Sequence, residues 1–156
     1  MARFITMLPD KEIKDMEFLH NNAEDIFKAM TRAGATVAMN NAKGKAPNPK
    51  LAQCIKLTRS YRTPSDGGIN TKVIITGYMP FSGNRKTFAR RNRKGGKMYT
   101  TGDGVPAEFV AILYEYGRST SSFPKHPFFR QSFSPTAIER AMKQVQKEAS
   151  GGLLDE

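Results

Sequence analysis

The stretch Pro106–Phe133, PAEFVAILYEYGRSTSSFPKHPFFRQSF, constrains the fold of this chain more than any other. Pro106 suits the first turn of a helix, where its missing N–H would have no partner anyway. Phe109, Ile112, Leu113 and Tyr116 then recur at i, i+3, i+4 and i+7, which is one helical face. Gly117 follows as a left-handed stop. Phe123, Phe128, Phe129 and Phe133 place four large rings within eleven positions, each able to bury about 150–250 Å². No other part of the chain is so dense in aromatic residues. The core is therefore expected to close here, with the helix Ala107–Tyr116 sealing one end of it.

The elements before this stretch alternate in type. Asp10 is a cap for a short helix through Leu19, with Ile13 and Met16 on it. Asn21 or Asn22 caps a second, longer helix, with Glu24 and Asp25 in the first turn, where the helix dipole favours anions. Ala23, Ile26, Phe27, Met30, Gly34, Val37, Ala38 and Asn41 hold one face for about five turns, and Gly44 and Pro47 end it. Small residues along the stripe (Ala33, Gly34, Ala35, Ala38) admit a closely packed neighbour. Ala46–Gln53 reads as a Pro-interrupted connector. Ile55–Arg62 alternates like a strand, Thr63–Gly68 is a turn, and Ile69–Met79 is a return strand rich in β-branched residues. Together they predict an antiparallel hairpin. Ser134-Pro135 opens a last helix whose apolar face is Ile138, Ala141, Met142, Val145 and Ala149, and Gly151-Gly152 ends it.

This order predicts an α+β fold, with a small, mainly antiparallel sheet packed against a long N-terminal helix and a C-terminal helix. Residues 1–20 are expected to form an N-terminal arm or short helix. A single domain spans 21–150 with a basic insertion at 81–104, and 151–156 form a tail that frays or docks.

Charge is concentrated in that insertion. The chain of 156 residues carries a net +11, a bias toward polyanions or acidic partners. Arg85, Lys86, Arg90, Arg91, Arg93, Lys94 and Lys97 put seven positive charges and no acid into thirteen residues; subtracting those seven from +11 leaves +4. Such a segment suits phosphate contact with counterion release, or an acidic surface on a neighbouring subunit. Only Phe88 and Tyr99 are nearby for stacking, and no recognition helix accompanies them, so sequence-specific reading of bases is not expected.

Catalytic and metal chemistry find little support. His20 and His126 stand far apart in sequence without ligand-like companions. Cys54 is the single cysteine, so no internal disulfide forms, and its place beside Ile55 suits packing rather than nucleophilic attack. No Cys-x-x-Cys or His-Glu-x-x-His spacing occurs, and Gly102-Asp-Gly104 and Gly95-Gly96 read as turns, because no Gly-Lys-Ser/Thr follows. Glu115 lies in an otherwise apolar run and is expected to be a structural carboxylate, paired with an arginine or accepting backbone N–H groups. No catalytic residue, metal or cofactor is expected. No window approaches the roughly 18 apolar residues of a membrane span.

Tyr114-Glu115-Tyr116-Gly117 followed by His126-Pro127-Phe128-Phe129-Arg130-Gln131-Ser132-Phe133 resembles the signature of tailed-phage neck, head–tail joining and tail-completion proteins. In that family a helix ending in v-E-f-G-T precedes P-a-r-P-F-l-r-p-A and a C-terminal helix. Lys43–Pro47 is similar to the family's helix end A-x-x-x-A-P, and the resemblance covers most of Ala23–Glu148 apart from Pro80–Gly104. The family's A-P-x-R-T-G is replaced by Ala46-Pro47-Asn48-Pro49-Lys50-Leu51, which leaves Lys50 or Arg59 to pair with Glu115. The resemblance implies a structural virion protein without an enzymatic role. It would form a homo-oligomeric ring in the neck, between head-completion or adaptor proteins and tail-terminator or tail-tube proteins, with packaged DNA in the lumen. Glu115, Gly117, Phe123, Pro127, Phe128, Phe129 and Arg130 would carry signature and subunit packing. The alternative from another class is a free cytosolic protein that binds nucleic acid through the basic arm.

Overall fold

A computed structural model describes residues 10–80, 104–118 and 124–154. Phe123, the N-terminal segment before Asp10 and the basic residues Arg85, Lys86, Arg90, Arg91, Arg93, Lys94 and Lys97 lie outside the described residues. Within them the fold is α+β, with long N-terminal and C-terminal helices and short antiparallel ladders.

Helix α1 runs unbroken from Asp10 to Lys45. The expected short helix ending at Leu19 and a fresh start at Asn21 or Asn22 do not occur. No proline or glycine falls between Leu19 and Asn22, and Asn22 is absorbed into the helix: its Nδ2 donates to the Phe18 carbonyl at 2.8 Å. The connector after α1 is also more ordered than expected. Asn48 caps a short helix α2, Pro49–Cys54, through Oδ1, which accepts from the Lys50 N–H at 2.8 Å, and Pro49 takes the first position.

The two expected long strands are broken. β1 (Ile55–Leu57) pairs antiparallel with β4 (Val73–Ile75), and β2 (Tyr61–Arg62) with β3 (Ile69–Asn70). Three residues separate β1 from β2 while two separate β3 from β4, so the hairpin changes register by one. β5 (Tyr78–Met79) pairs with β6 (Val105–Pro106), a ladder the sequence reading did not contain. Pro106 therefore ends a strand and precedes α3 (Ala107–Tyr116), rather than sitting in its first turn. The last helix, α4, spans Pro135–Ala149.

The chain divides into two compact units. In one, α1 up to Val37 is joined by residues 59–72 and by α4. A Cβ on Gly34 would lie 2.9 Å from Ile138 Cγ2 and 3.1 Å from Met142 Cγ, so the small-residue stripe of α1 does receive a close neighbour, and that neighbour is α4. The expected apolar residues of α4 are half-buried. Ser60 and Thr71 hydroxyls meet at 2.9 Å, Thr71 also faces Thr31 at 3.3 Å, and Arg62 Nη2 bonds Glu24 at 3.1 Å. These contacts tie the β2–β3 turn region to α1. Phe27, placed by periodicity on the buried face, is 54 % exposed.

The other unit holds the main core. Ala42, Leu51, Ile55, Met79, Ala107, Ala111 and Phe128 are buried together, with Met39, Cys54, Val73, Ile75, Val110, Tyr114 and Phe129 packed around them. Helix α3 lies against α2, β4, β5 and β6. Its orientation corrects the sequence reading. Phe109, Ile112, Leu113 and Tyr116 are all exposed, and the residues turned inward are Ala107, Ala111 and Glu115. The two alanines let the helix approach the strands closely, and Glu115 finds donors that an outward position would deny it.

Gly104 is required where β6 begins. Its φ is +112°, and a Cβ would lie 2.1 Å from the Met79 carbonyl oxygen. Backbone cannot yield to that clash as a side chain could. Gly104→Ala is therefore expected to cost about 3 kcal/mol or more, whereas Gly44→Ala, with nothing near its Cβ, should gain up to about 1 kcal/mol through helix propensity. Urea unfolding of both variants measures the contrast; equal midpoints would show that β5–β6 contributes nothing to the fold.

Candidate assembly site around Glu115

Helix α3 ends at Gly117, whose N–H donates to the Leu113 carbonyl at 2.8 Å. Gly117 has φ +75° and ψ −173°, so the stop has positive φ but is extended rather than left-handed helical. Two residues before that stop, the Glu115 carboxylate is 7 % exposed and meets the segment that begins at His126. Oε2 accepts from the Phe128 N–H at 3.0 Å and the Phe129 N–H at 3.1 Å. Oε1 accepts from the Arg130 N–H at 3.3 Å and from Arg130 Nε at 3.1 Å. Three successive backbone N–H groups thus converge on one carboxylate, and a guanidinium closes it. Phe129 opens a short 3-10 turn, Arg130–Ser132, and the carboxylate satisfies donors that the start of that turn leaves without partners.

Both readings offered for Glu115, an arginine pair and a backbone cap, hold at once. The arginine is Arg130, not Lys50 or Arg59. It lies fifteen residues away within the motif itself. Its guanidinium also sits 4.8 Å over the Tyr116 ring, a cation–π arrangement.

The segment 126–132 is tied on further sides. The His126 N–H donates to the Tyr114 carbonyl at 2.7 Å. Ser132, fully buried, donates through Oγ to the Phe128 carbonyl at 2.5 Å. Two groups from the end of α1 reach its backbone: Asn41 Nδ2 donates to Ser132 O at 3.3 Å and Lys45 Nζ to Gln131 O at 2.6 Å. The sequence reading missed these two. No periodicity or motif signals them, since Asn41 and Lys45 stand 91 and 86 residues before their acceptors.

The phenylalanines divide in role. Phe128 is buried in the core at 1 % exposure. Phe129 is half-buried and packs edge-on to Phe128, with centroids 6.2 Å apart, and to Phe133 at 5.4 Å. Phe133 is exposed, as is Pro127. The core does close on this segment, but through Phe128 rather than through all of the rings.

Burial alone would raise the Glu115 pKa. The N–H groups of Phe129 and Phe128, the Arg130 guanidinium and the Arg130 N–H together outweigh it and hold the carboxyl below its ordinary range. The folded protein therefore keeps this group ionised to lower pH than the unfolded chain. Its stabilisation is present above the unfolded value and is lost as pH falls through the folded one.

His20 is exposed on α1, and His126 is exposed beside the motif. Cys54, a free thiol at the end of α2, is half-buried in the core as expected. Among the described residues no group of three His, Cys, Asp or Glu side chains comes together as a metal set, and no helix is long and apolar enough to cross a membrane. Compared with protein-family models, with curated proteins and with solved structures, the chain finds no match.

Glu115→Gln keeps the shape but turns amide hydrogens toward donors, so it is expected to cost about 2–4 kcal/mol at pH 7. Arg130→Ala leaves three backbone donors in place and removes a pair whose guanidinium side is 66 % exposed, so about 1 kcal/mol or less is expected. The difference between wild type and Glu115→Gln should shrink as pH drops below about 4, the ordinary carboxylate range. Denaturant titrations at pH 7 and pH 3 check both; a larger loss for Arg130→Ala would place the weight on the ion pair instead.

Proposed function

We propose that this chain is a structural protein of a tailed-phage virion neck. It forms a homo-oligomeric ring that joins the DNA-filled head to the tail and completes the tail. The observation that carries the reading is the Glu115 clamp. The two halves of the motif similar to the neck-protein signature, Tyr114–Gly117 and His126–Phe133, act as one hydrogen-bonded unit. A pattern in two separated halves has a physical reason to occur together if the halves fold onto each other. The site holds a carboxylate consumed by structure, which suits an architectural role rather than turnover.

The partners in this reading are further copies of the chain, the adaptor or head-completion proteins on one side, and the tail-terminator or tail-tube proteins on the other. Arg85, Lys86, Arg90, Arg91, Arg93, Lys94 and Lys97 supply contact with DNA in the lumen or with an acidic neighbour. The concentration of seven charges in thirteen residues also favours a second reading, a free protein that binds nucleic acid through the same segment.

Light scattering on the purified protein, with mass spectrometry of mature particles, separates the two. The neck reading expects a closed oligomer of the 17.4-kDa chain and its presence in virions. A monomer absent from particles that shifts DNA at low salt would overturn it in favour of the second. Neutralising Arg90, Arg91, Arg93 and Lys94 should flatten the slope of log K against log salt for duplex DNA by roughly 3–4 if all four meet phosphates. An unchanged slope would remove DNA as the ligand of this segment.

A further inference from the structure

Two exposed apolar faces of this chain carry opposite charge. The first is on α1. Residues 10–20 are exposed except for the half-buried Asp15 and Leu19, so the first three turns of the helix are scarcely covered. Glu12, Met16, Leu19, Ala23, Phe27 and Met30 step by threes and fours and share one face. Met16 is 63 % exposed. From Leu19 onward this face borders an apolar groove of about 220 Å³, completed by Ile26, Gln146 and Leu154. Residues 10–20 hold four acids and two lysines, a net −2 in a chain of +11. Glu12 lies on the stripe and Asp15 beside it, while Lys11 and Lys14 fall outside it at 100° per residue.

The second face is on α3. Ile112 is 52 % exposed and Tyr116 56 %, with Leu113 between them. The Arg130 guanidinium rests on the Tyr116 ring with most of its side chain in solvent. Lys125, exposed, adjoins His126, which is bonded to Tyr114. The acid bordering this face, Glu108, is two helical turns from Tyr116, and Glu115 is turned inward.

We propose that the α1 face of one copy docks on the α3 face of a second copy. Ile112, Leu113 and Tyr116 would enter the groove, and Arg130 and Lys125 would face Glu12 and Asp15. Opposite charge around two apolar surfaces favours this pairing over α1 with α1 or α3 with α3, where like charges would meet. Because the two surfaces differ, two copies can satisfy both at once in a reciprocal pair, or each copy can join a different neighbour on either side. In the second case repetition closes into a ring or runs on as a filament. Closure rests on the neck reading; the contact itself rests on the two faces.

The test mixes two full-length variants in a Cys54→Ala background, Met16→Cys and Ile112→Cys, and oxidises them. Both positions are exposed, and circular dichroism checks the helices. Cross-linked pairs of Met16→Cys with Ile112→Cys chains are expected to exceed same-variant pairs at least tenfold, and Ile112→Glu should weaken self-association at least tenfold. Predominance of same-variant pairs would overturn the proposal. So would absence of cross-links while light scattering still reports an oligomer, an outcome that removes this interface and leaves the ring reading standing. A monomer at all concentrations would remove both.

Discussion

The structure of the larger core depends on one carboxylate. Glu115 sits at the end of α3, and the N–H groups of Phe128, Phe129 and Arg130 are aimed at it. A buried charge is costly unless it is bonded on all sides, and here four donors surround two oxygens. The consequence is positional. With Phe128 N–H and Arg130 N–H both fixed, the Phe128 ring has one direction to go, into the cluster of Leu51, Ile55, Met79 and Ala107. Ser132 then turns back to the Phe128 carbonyl, and the end of α1 bonds the carbonyls that follow. A polar contact thereby sets the register of an apolar one.

The same contact explains why α3 faces as it does. Its most apolar side is not its buried side. Turning Phe109, Ile112, Leu113 and Tyr116 inward would carry Glu115 away from its donors and set bulky residues against β4–β6 where Ala107 and Ala111 now fit. Removing a few large side chains from water is worth about 1.5–3 kcal/mol each. Leaving three backbone donors and a carboxylate unsatisfied would cost a comparable or larger sum. Gly104 adds a steric condition, since the entry to the helix passes against the Met79 carbonyl with no room for a side chain.

What the sequence made legible follows from this. The long and terminal helices, the Thr63–Gly68 turn and the antiparallel pairing are local patterns, and local patterns carry their own signal. Glu115 was readable as structural because an acid in an apolar run needs partners. Its arginine was not, because Arg130 stands fifteen residues away and no helical or strand periodicity links the two. The helix face was misread for the opposite reason: periodicity finds the apolar side correctly but does not say whether that side meets this chain or another. The break expected near Asn21 failed because asparagine tolerates a helix when its amide bonds back to the preceding turn, as Asn22 does with Phe18. The β5–β6 ladder escaped because two residues on each strand give no alternation to detect.

The balance of apolar surface argues that folding alone does not finish burying this chain. Among the described residues, the large hydrophobic side chains in the core are Ile26, Leu51, Ile55, Met79 and Phe128, accompanied by four alanines. Twelve large hydrophobic residues among the described ones are exposed, more than are buried. Single exposed apolar residues are ordinary, but runs on one helical face are not. In α1 and α3 they fall on such faces. A small core gives limited stability to a chain of this size, and association that covers those faces adds burial that depends on concentration. If the pairing of α1 with α3 proposed above forms, the clamp at Glu115 serves it by holding the apolar side of α3 outward.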